Sequence, residues 1–186
     1  YPDLKKDFSL FDFGAIVAAA SLTHDLGNPP FGHAGEDAIS DFFAHHPNGQ
    51  YFKNKVDPNA WADLVKFEGN AQGFRILNKN QFGLKLTFAT LGAFTKYPCI
   101  SHFPSRDKSK RSQKKYGFFQ TETARFAEVA SALELDLVNA GAWKRHPLAF
   151  LVEAADDICY SIIDLEDGCS LGLVNYNDAK ALFESV

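Results

Sequence analysis

Two adjacent prolines, Pro29 and Pro30, interrupt a helix-prone stretch and constrain this chain more than any other feature in it. Proline lacks the amide hydrogen and its ring clashes with the preceding turn, so no helix continues through both. Upstream, Phe11 to Leu26 (FDFGAIVAAASLTHDL) is rich in Ala and Leu and apolar nearly all round. That composition predicts a buried helix, which Gly27-Asn28-Pro29-Pro30 must end. Downstream, a second helix is expected from about Gly32 to Ala44, with Ile39, Phe42 and Phe43 on its apolar side. A stiff corner thus joins two helices, and His24, Asp25, His33 and Glu36 stand on either side of it.

Residues 45–57 read as a loop. Helical patterns resume over Pro58–Phe67, where Asp57 is the expected N-cap and Pro58 the first helical position. Further helices are expected over Asn70–Asn78, Phe88–Lys96, Thr121–Leu135, Pro147–Leu165 and Asn177–Glu184, with a long surface loop over 97–116. No strand-type alternation or Asn-Gly hairpin turn stands out. The expected fold is all-α, a single domain over 1–186 with no internal repeat. The 186 residues include 18 Phe and are 46 % apolar, enough for a sizeable core.

Net charge is −4, which argues against a general nucleic-acid or membrane-surface binder. No apolar run approaches the roughly 20 residues that span a bilayer, and residues 1–6 are polar rather than secretory. Cys99, Cys159 and Cys169 lack CxxC spacing and read as reduced thiols of a cytoplasmic protein. The absence of Met, the initiator included, leads to the expectation that the chain is a piece of a longer protein.

Imidazole and carboxylate are ligands for a divalent metal, and a mixed N/O set suits Mn, Fe, Ni, Co or Mg according to geometry. Neighbours on a helix diverge by about 100°, so His24-Asp25 grips an ion only if other helices add ligands. Alone, the dipeptide reads as a capping Asp and a packed His. Beyond the proline corner, His33 and Glu36 are three apart at the start of a helix and can touch. A carboxylate beside an imidazole fixes its tautomer and raises its basicity, as a general acid or base requires. Taken alone, that pair also suits an ordinary helix start.

The whole string HDLGNPPFGHAGE (His24–Glu36) resembles the signature of the deoxyguanosine triphosphate triphosphohydrolases, a branch of the HD-domain superfamily. FEGNAQGFRIL (67–77), KYGFFQTE (115–122) and RHPLAFLVEAADDICYSIIDLEDG (145–168) extend the resemblance from about Phe13 to Gly168. It implies an HD-domain helical bundle that hydrolyses deoxynucleoside triphosphates to deoxynucleoside and tripolyphosphate, with Mn or Mg as the expected metal. It further implies His24, Asp25 and Asp156 as metal ligands, His33 and Glu36 as the acid–base pair, and Tyr160 and Asp164 as groups holding the deoxyribose. Asp156, Tyr160 and Asp164 are spaced i, i+4 and i+8, so one helix stripe can carry all three. Asp157 points elsewhere and is the second choice. The family's first metal ligand is a histidine upstream of the HD pair, and nothing before His24 is a histidine. An N-terminal helix and a C-terminal part are therefore expected outside this chain.

Weaker signals remain open. The run 105–115 carries Arg106, Lys108, Lys110, Arg111, Lys114 and Lys115. It suits a solvated loop, or one whose end, Lys114-Lys115-Tyr116, faces a triphosphate; an effector nucleotide or single-stranded DNA is a third reading. Glu68 and Asn70 suit either helix capping or support of the metal and water, a role also open to Asn28. His45, His46, His102 and His146 show no partner spacing and are read as non-catalytic. No GxxxxGK[ST] loop is present. A different HD nucleotide phosphohydrolase and a non-catalytic regulatory HD module are the alternatives. Family members commonly form homo-oligomers.

Overall fold

The computed structural model of the protein describes residues 8–79, 83, 85–103 and 106–185. The described residues are predominantly helical, as the periodicity predicts. The chain divides into two units, residues 1–152 and 153–186. No helix among the described residues is long and apolar enough to cross a membrane.

In the first unit, α1 (Leu10–Thr23) opens on a reciprocal cap: Asp12 N–H donates to the Ser9 hydroxyl and Ser9 N–H to the Asp12 carboxylate. It ends at Thr23, earlier than the prolines require, because residues 24–28 already turn: Leu26 N–H donates to Thr23 O and Asn28 N–H to Asp25 O. His24 is thus the C-cap and Asp25 lies in the turn. Nor is α1 buried all round. Ala20 is buried, with Ile16 and Val17 against the core, but Leu10, Phe11 and Leu22 are 81 % to 91 % exposed. Only its stripe toward α6 is covered, since that is the main element packed on it.

Helix α2 (His33–His45) follows the corner, and His46 caps a short α3 (Pro47–Gln50) inside the expected loop. Helix α4 (Pro58–Leu64) starts as the sequence predicts, with the Asp57 carboxylate accepting from Asn59 N–H. Helices α5 (Gly69–Asn78), α6 (Phe88–Phe94) and α7 (Thr123–Ala132) enclose the core. Its centre is aromatic: Phe118 stacks on Phe126 at 4.4 Å, with Phe74 and Trp143 against them.

The described residues of 97–116 are only in part a surface loop. Tyr97, Cys99, Phe103 and Tyr116 are buried in a second cluster or beside it, while Lys110, Arg111 and Lys114 stay exposed. Such a segment must satisfy its own backbone. Arg106 does this by donating to Ser101 O (2.7 Å) and Gln113 O (2.9 Å), and the buried Gln113 accepts from Asp107 N–H. The absence of strands is also corrected. Leu137–Asn139 (β1) and Ala142–Trp143 (β2) form a small antiparallel hairpin whose turn uses Gly141 at φ +90°. Two or three residues per strand are too few to print an alternation.

Helix α8 (Leu148–Ser170) begins in the first unit, where Leu148 and Val152 pack on the core, and continues through the second. There a turn at Gly172 (φ +70°) leads to α9 (Tyr176–Glu184), capped by Asn175.

Candidate active site

The turn after α1 aims the first pair. His24 Nδ1 lies 2.6 Å from Ser21 O. A carbonyl only accepts, so Nδ1 carries the hydrogen and Nε2 presents its lone pair. Nε2 is 3.3 Å from Asp25 Oδ2, and the other oxygen, Oδ1, accepts from the Asn28 amide at 2.8 Å. Two donors on one cation at about 2.1 Å sit roughly 3 Å apart, so the pair fits adjacent positions on one ion. Asn28 orients the carboxylate from behind, the supporting role its place in the motif suggests. Both side chains are partly exposed, leaving an ion access.

The corner then packs onto α5. Gly27 lies against the backbone of Gly69 and Gly73, and Gly69 in turn abuts the side chains of Asn28 and Glu36. A Cβ at Gly27 would strike backbone, and one at Gly69 would displace the Asn28 and Glu36 side chains. Two glycines thereby let the HD turn reach the floor of the neighbouring cleft.

That cleft is open, about 640 Å³ in volume, and includes His33, Glu36, Glu68, Lys114 and Lys115 in its lining. Its buried floor is a charge trio. Glu36 Oε1 accepts the Gly69 N–H at 2.6 Å and Oε2 accepts from Lys115 Nζ at 3.4 Å. Glu68 Oε1 accepts from the same ammonium at 2.8 Å and from the Asn70 amide at 2.9 Å. The Gly69 amide belongs to the first turn of α5, where no partner exists within the helix. Glu68, the formal N-cap, makes no cap bond, and Glu36 supplies it from another helix.

The contacts of the trio and its neighbours bear on three of the expectations. Among the described contacts, Glu36 does not hydrogen-bond His33; a carboxylate buried this deeply takes the stronger donors on its other side. His33 is exposed into the same cleft one turn earlier. Of the two readings open for Asn70, its donation to Glu68 suits the supporting one. Tyr116 is a core residue, 2 % exposed, whose hydroxyl donates to Asp63 O at 3.0 Å. Only Lys114 of the Lys-Lys-Tyr string presents an exposed charge to the cleft.

Burial pushes the Glu68 carboxyl upward, opposed by the Lys115 and Asn70 bonds. For Lys115 burial pulls down, but Glu68 and Glu36 outweigh it and hold the ammonium above its ordinary value. Asp63, receiving Gln120 N–H, is also pushed up by burial. Lys66, His102 and Lys108 line the cleft too, although no spacing marks them in sequence.

In the second unit, Asp156, Tyr160 and Asp164 share one stripe of α8. Asp156 is half-buried, and Tyr160 and Asp164 are exposed. Among the described residues, no three His, Cys, Asp or Glu side chains are gathered fit to hold a metal; His24 and Asp25 belong to the first unit and Asp156 to the second.

A scan against protein-family models finds no match. Similarity to curated proteins is extensive. A deoxyguanosinetriphosphate triphosphohydrolase-like protein of Synechocystis sp. is 46 % identical over 94 % of this chain, and one of Pseudomonas aeruginosa is 42 % identical over 92 %. A deoxyguanosinetriphosphate triphosphohydrolase of Cronobacter sakazakii is 36 % identical over 83 %. The chain spans 34 % to 42 % of the length of these relatives. With identity at this level over most of its residues, the chain belongs to the deoxyguanosinetriphosphate triphosphohydrolase family.

Proposed function

We propose that the full protein hydrolyses deoxynucleoside triphosphates to deoxynucleoside and inorganic tripolyphosphate. The observation that carries this reading is the joining of the oriented His24-Asp25 pair, through Asn28 and Gly69, to a cleft lined by His33, Glu36 and cations. The names of the relatives support this reaction class.

His24 and Asp25, with Asp156 as the resemblance implies, would hold a divalent ion, for which Mn and Mg are the first candidates. When bound, such an ion supplies Lewis-acid polarisation of a phosphoryl oxygen. In the reaction, a water oxygen bonds to the α-phosphorus and the bond from phosphorus to the 5′-oxygen breaks. The water gives up a proton and the leaving oxygen gains one. His33 handles one of these protons, and Glu36 sits on the same turn of α2. Lys114 neutralises part of the substrate's polyanion. Tyr160 and Asp164 hold the deoxyribose.

The test is incubation of the full-length protein with each deoxynucleoside triphosphate and Mn or Mg, followed by separation of products. Tripolyphosphate is expected; release of mono- or pyrophosphate alone would point to another phosphohydrolase. Metal binding has its own readout. Calorimetric titration with Mn should show a site in the wild type that Asp25→Asn weakens by roughly 10-fold or more, whether or not turnover occurs.

A further inference from the structure

The fold sorts the basic residues of 106–115 into two cavities of the first unit. Lys108 and Lys114 line the cleft of the candidate active site. Lys110 and Arg111, at the start of a short 3-10 turn (Arg111–Gln113), line a second cavity of about 480 Å³ that shares no lining residue with the first. Gln113 holds the turn in place: its buried side chain accepts from Asp107 N–H at 2.8 Å, and its own N–H donates to Lys110 O at 2.9 Å. The hairpin adds Val138 to the lining, Lys144 and Arg145 follow it, and α8 adds Phe150.

Four cations thus line one cavity in a chain whose net charge is −4, and the described lining holds no carboxylate. Like charges gathered in this way repel one another, and an anion among them relieves the repulsion. Two of the lysines have carboxylate partners outside the lining: Lys144 Nζ is 2.8 Å from Asp136 and Lys110 Nζ is 3.9 Å from Asp107. All four of these side chains face water, where ion pairs are weak, so a phosphate can exchange for them. The cavity also has an apolar part. Phe150 is 55 % exposed, with the Arg145 guanidinium 4.4 Å from its ring centroid. A flat ring beside cations is a stacking surface for a nucleobase, and the volume falls in the range of small-molecule sites, roughly 300–1,000 Å³.

We propose that this cavity is a second binding site, which takes a nucleotide: Lys110, Arg111 and Lys144 hold its phosphates and Phe150 packs against its base. The same chemistry belongs to a free nucleotide and to a nucleotide within a single strand. The assignment does not rest on the hydrolase reading.

The experiment titrates the full-length protein calorimetrically with three probes. They are a dATP analogue with a methylene in place of the 5′-oxygen, which cannot be cleaved there, a short oligothymidylate, and inorganic tripolyphosphate. The variants are K110A/K144A, F150L and, in the other cleft, K114A. Lys110 and Lys144 are more than half exposed, so their truncation should leave the thermal midpoint unmoved. K110A/K144A should weaken one binding event by roughly tenfold or more and spare the event that K114A weakens. F150L should weaken the K110A/K144A-sensitive event about fivefold for the two base-bearing probes and leave tripolyphosphate unchanged. Tighter binding of the analogue than of the oligonucleotide identifies a free nucleotide as the source. The reverse identifies a strand, for which K110A/K144A should also reduce the slope of log affinity against log salt by about 1.4. Binding that is indifferent to K110A/K144A for every probe would overturn the proposal. So would tripolyphosphate binding there as tightly as the analogue, with F150L without effect. A wild type that yields no tripolyphosphate would defeat the hydrolase reading alone, and the K110A/K144A-sensitive event would still decide this site.

Discussion

Glu68 brings a carboxylate to a site 6 % exposed, and burial raises its pKa despite the ammonium beside it. The sign of the consequence follows from proton linkage. Below the ordinary value of 4.5 the group is protonated in both states. As pH rises, the unfolded chain ionises first, so stability falls until the folded-state pKa is passed. Glu68→Gln should flatten that part of the profile, as denaturation midpoints measured from pH 4 upward will show; an unchanged slope would contradict the assignment. Lys115 has the same sign in another window. Its stabilisation is complete below 10.5 and lost as pH rises through its raised value. Thiol chemistry offers a separate check. Cys99 is fully buried and pushed up to about 12 by that burial, whereas Cys159 is exposed. Under native conditions at pH 8, a disulfide reagent should modify Cys159 readily and Cys99 only after unfolding.

Helix α5 shows how an element positions chemistry without supplying it. Its first residue, Gly69, has the Asn28 and Glu36 side-chain oxygens where a Cβ would go, and these side-chain ends would have to shift to admit it. Gly69→Ala should therefore leave the fold largely intact, with a cost of about 1–3 kcal/mol, while displacing the Asp25 and Glu36 supports and sharply reducing activity. Gly27 faces backbone atoms of Gly69 and Gly73 that cannot give way. Gly27→Ala should accumulate as insoluble or unfolded protein, which circular dichroism and solubility would reveal. Capping is more local in effect. Asp57→Ala removes the bond to Asn59 N–H and should cost about 1 kcal/mol without altering the cleft.

For the first unit as a whole, stability resides in the aromatic centre formed by Phe74, Phe118, Phe126 and Trp143. Phe126 is fully buried, and Phe126→Ala should cost about 3–5 kcal/mol in a chemical denaturation measurement. The same centre anchors the start of α8 through Leu148 and Val152.

What the sequence determined by itself was local or nearly so. The Asp57–Pro58 helix start, the proline corner and the stripe of Asp156, Tyr160 and Asp164 each depend on residues within a few positions of one another. Period, capping and ring sterics act over that range, so they are legible without a structure. The family motif likewise lies in one short string. Tertiary structure alone decided what those residues touch. Lys115 is 79 positions from Glu36 and 47 from Glu68, and no periodicity encodes such a meeting. It also decided which part of 97–116 is buried, with Arg106 and Gln113 satisfying its backbone from within. A buried carboxylate takes whichever donors folding brings nearest, which is why Glu36 faces Gly69 and Lys115 instead of the histidine three residues before it.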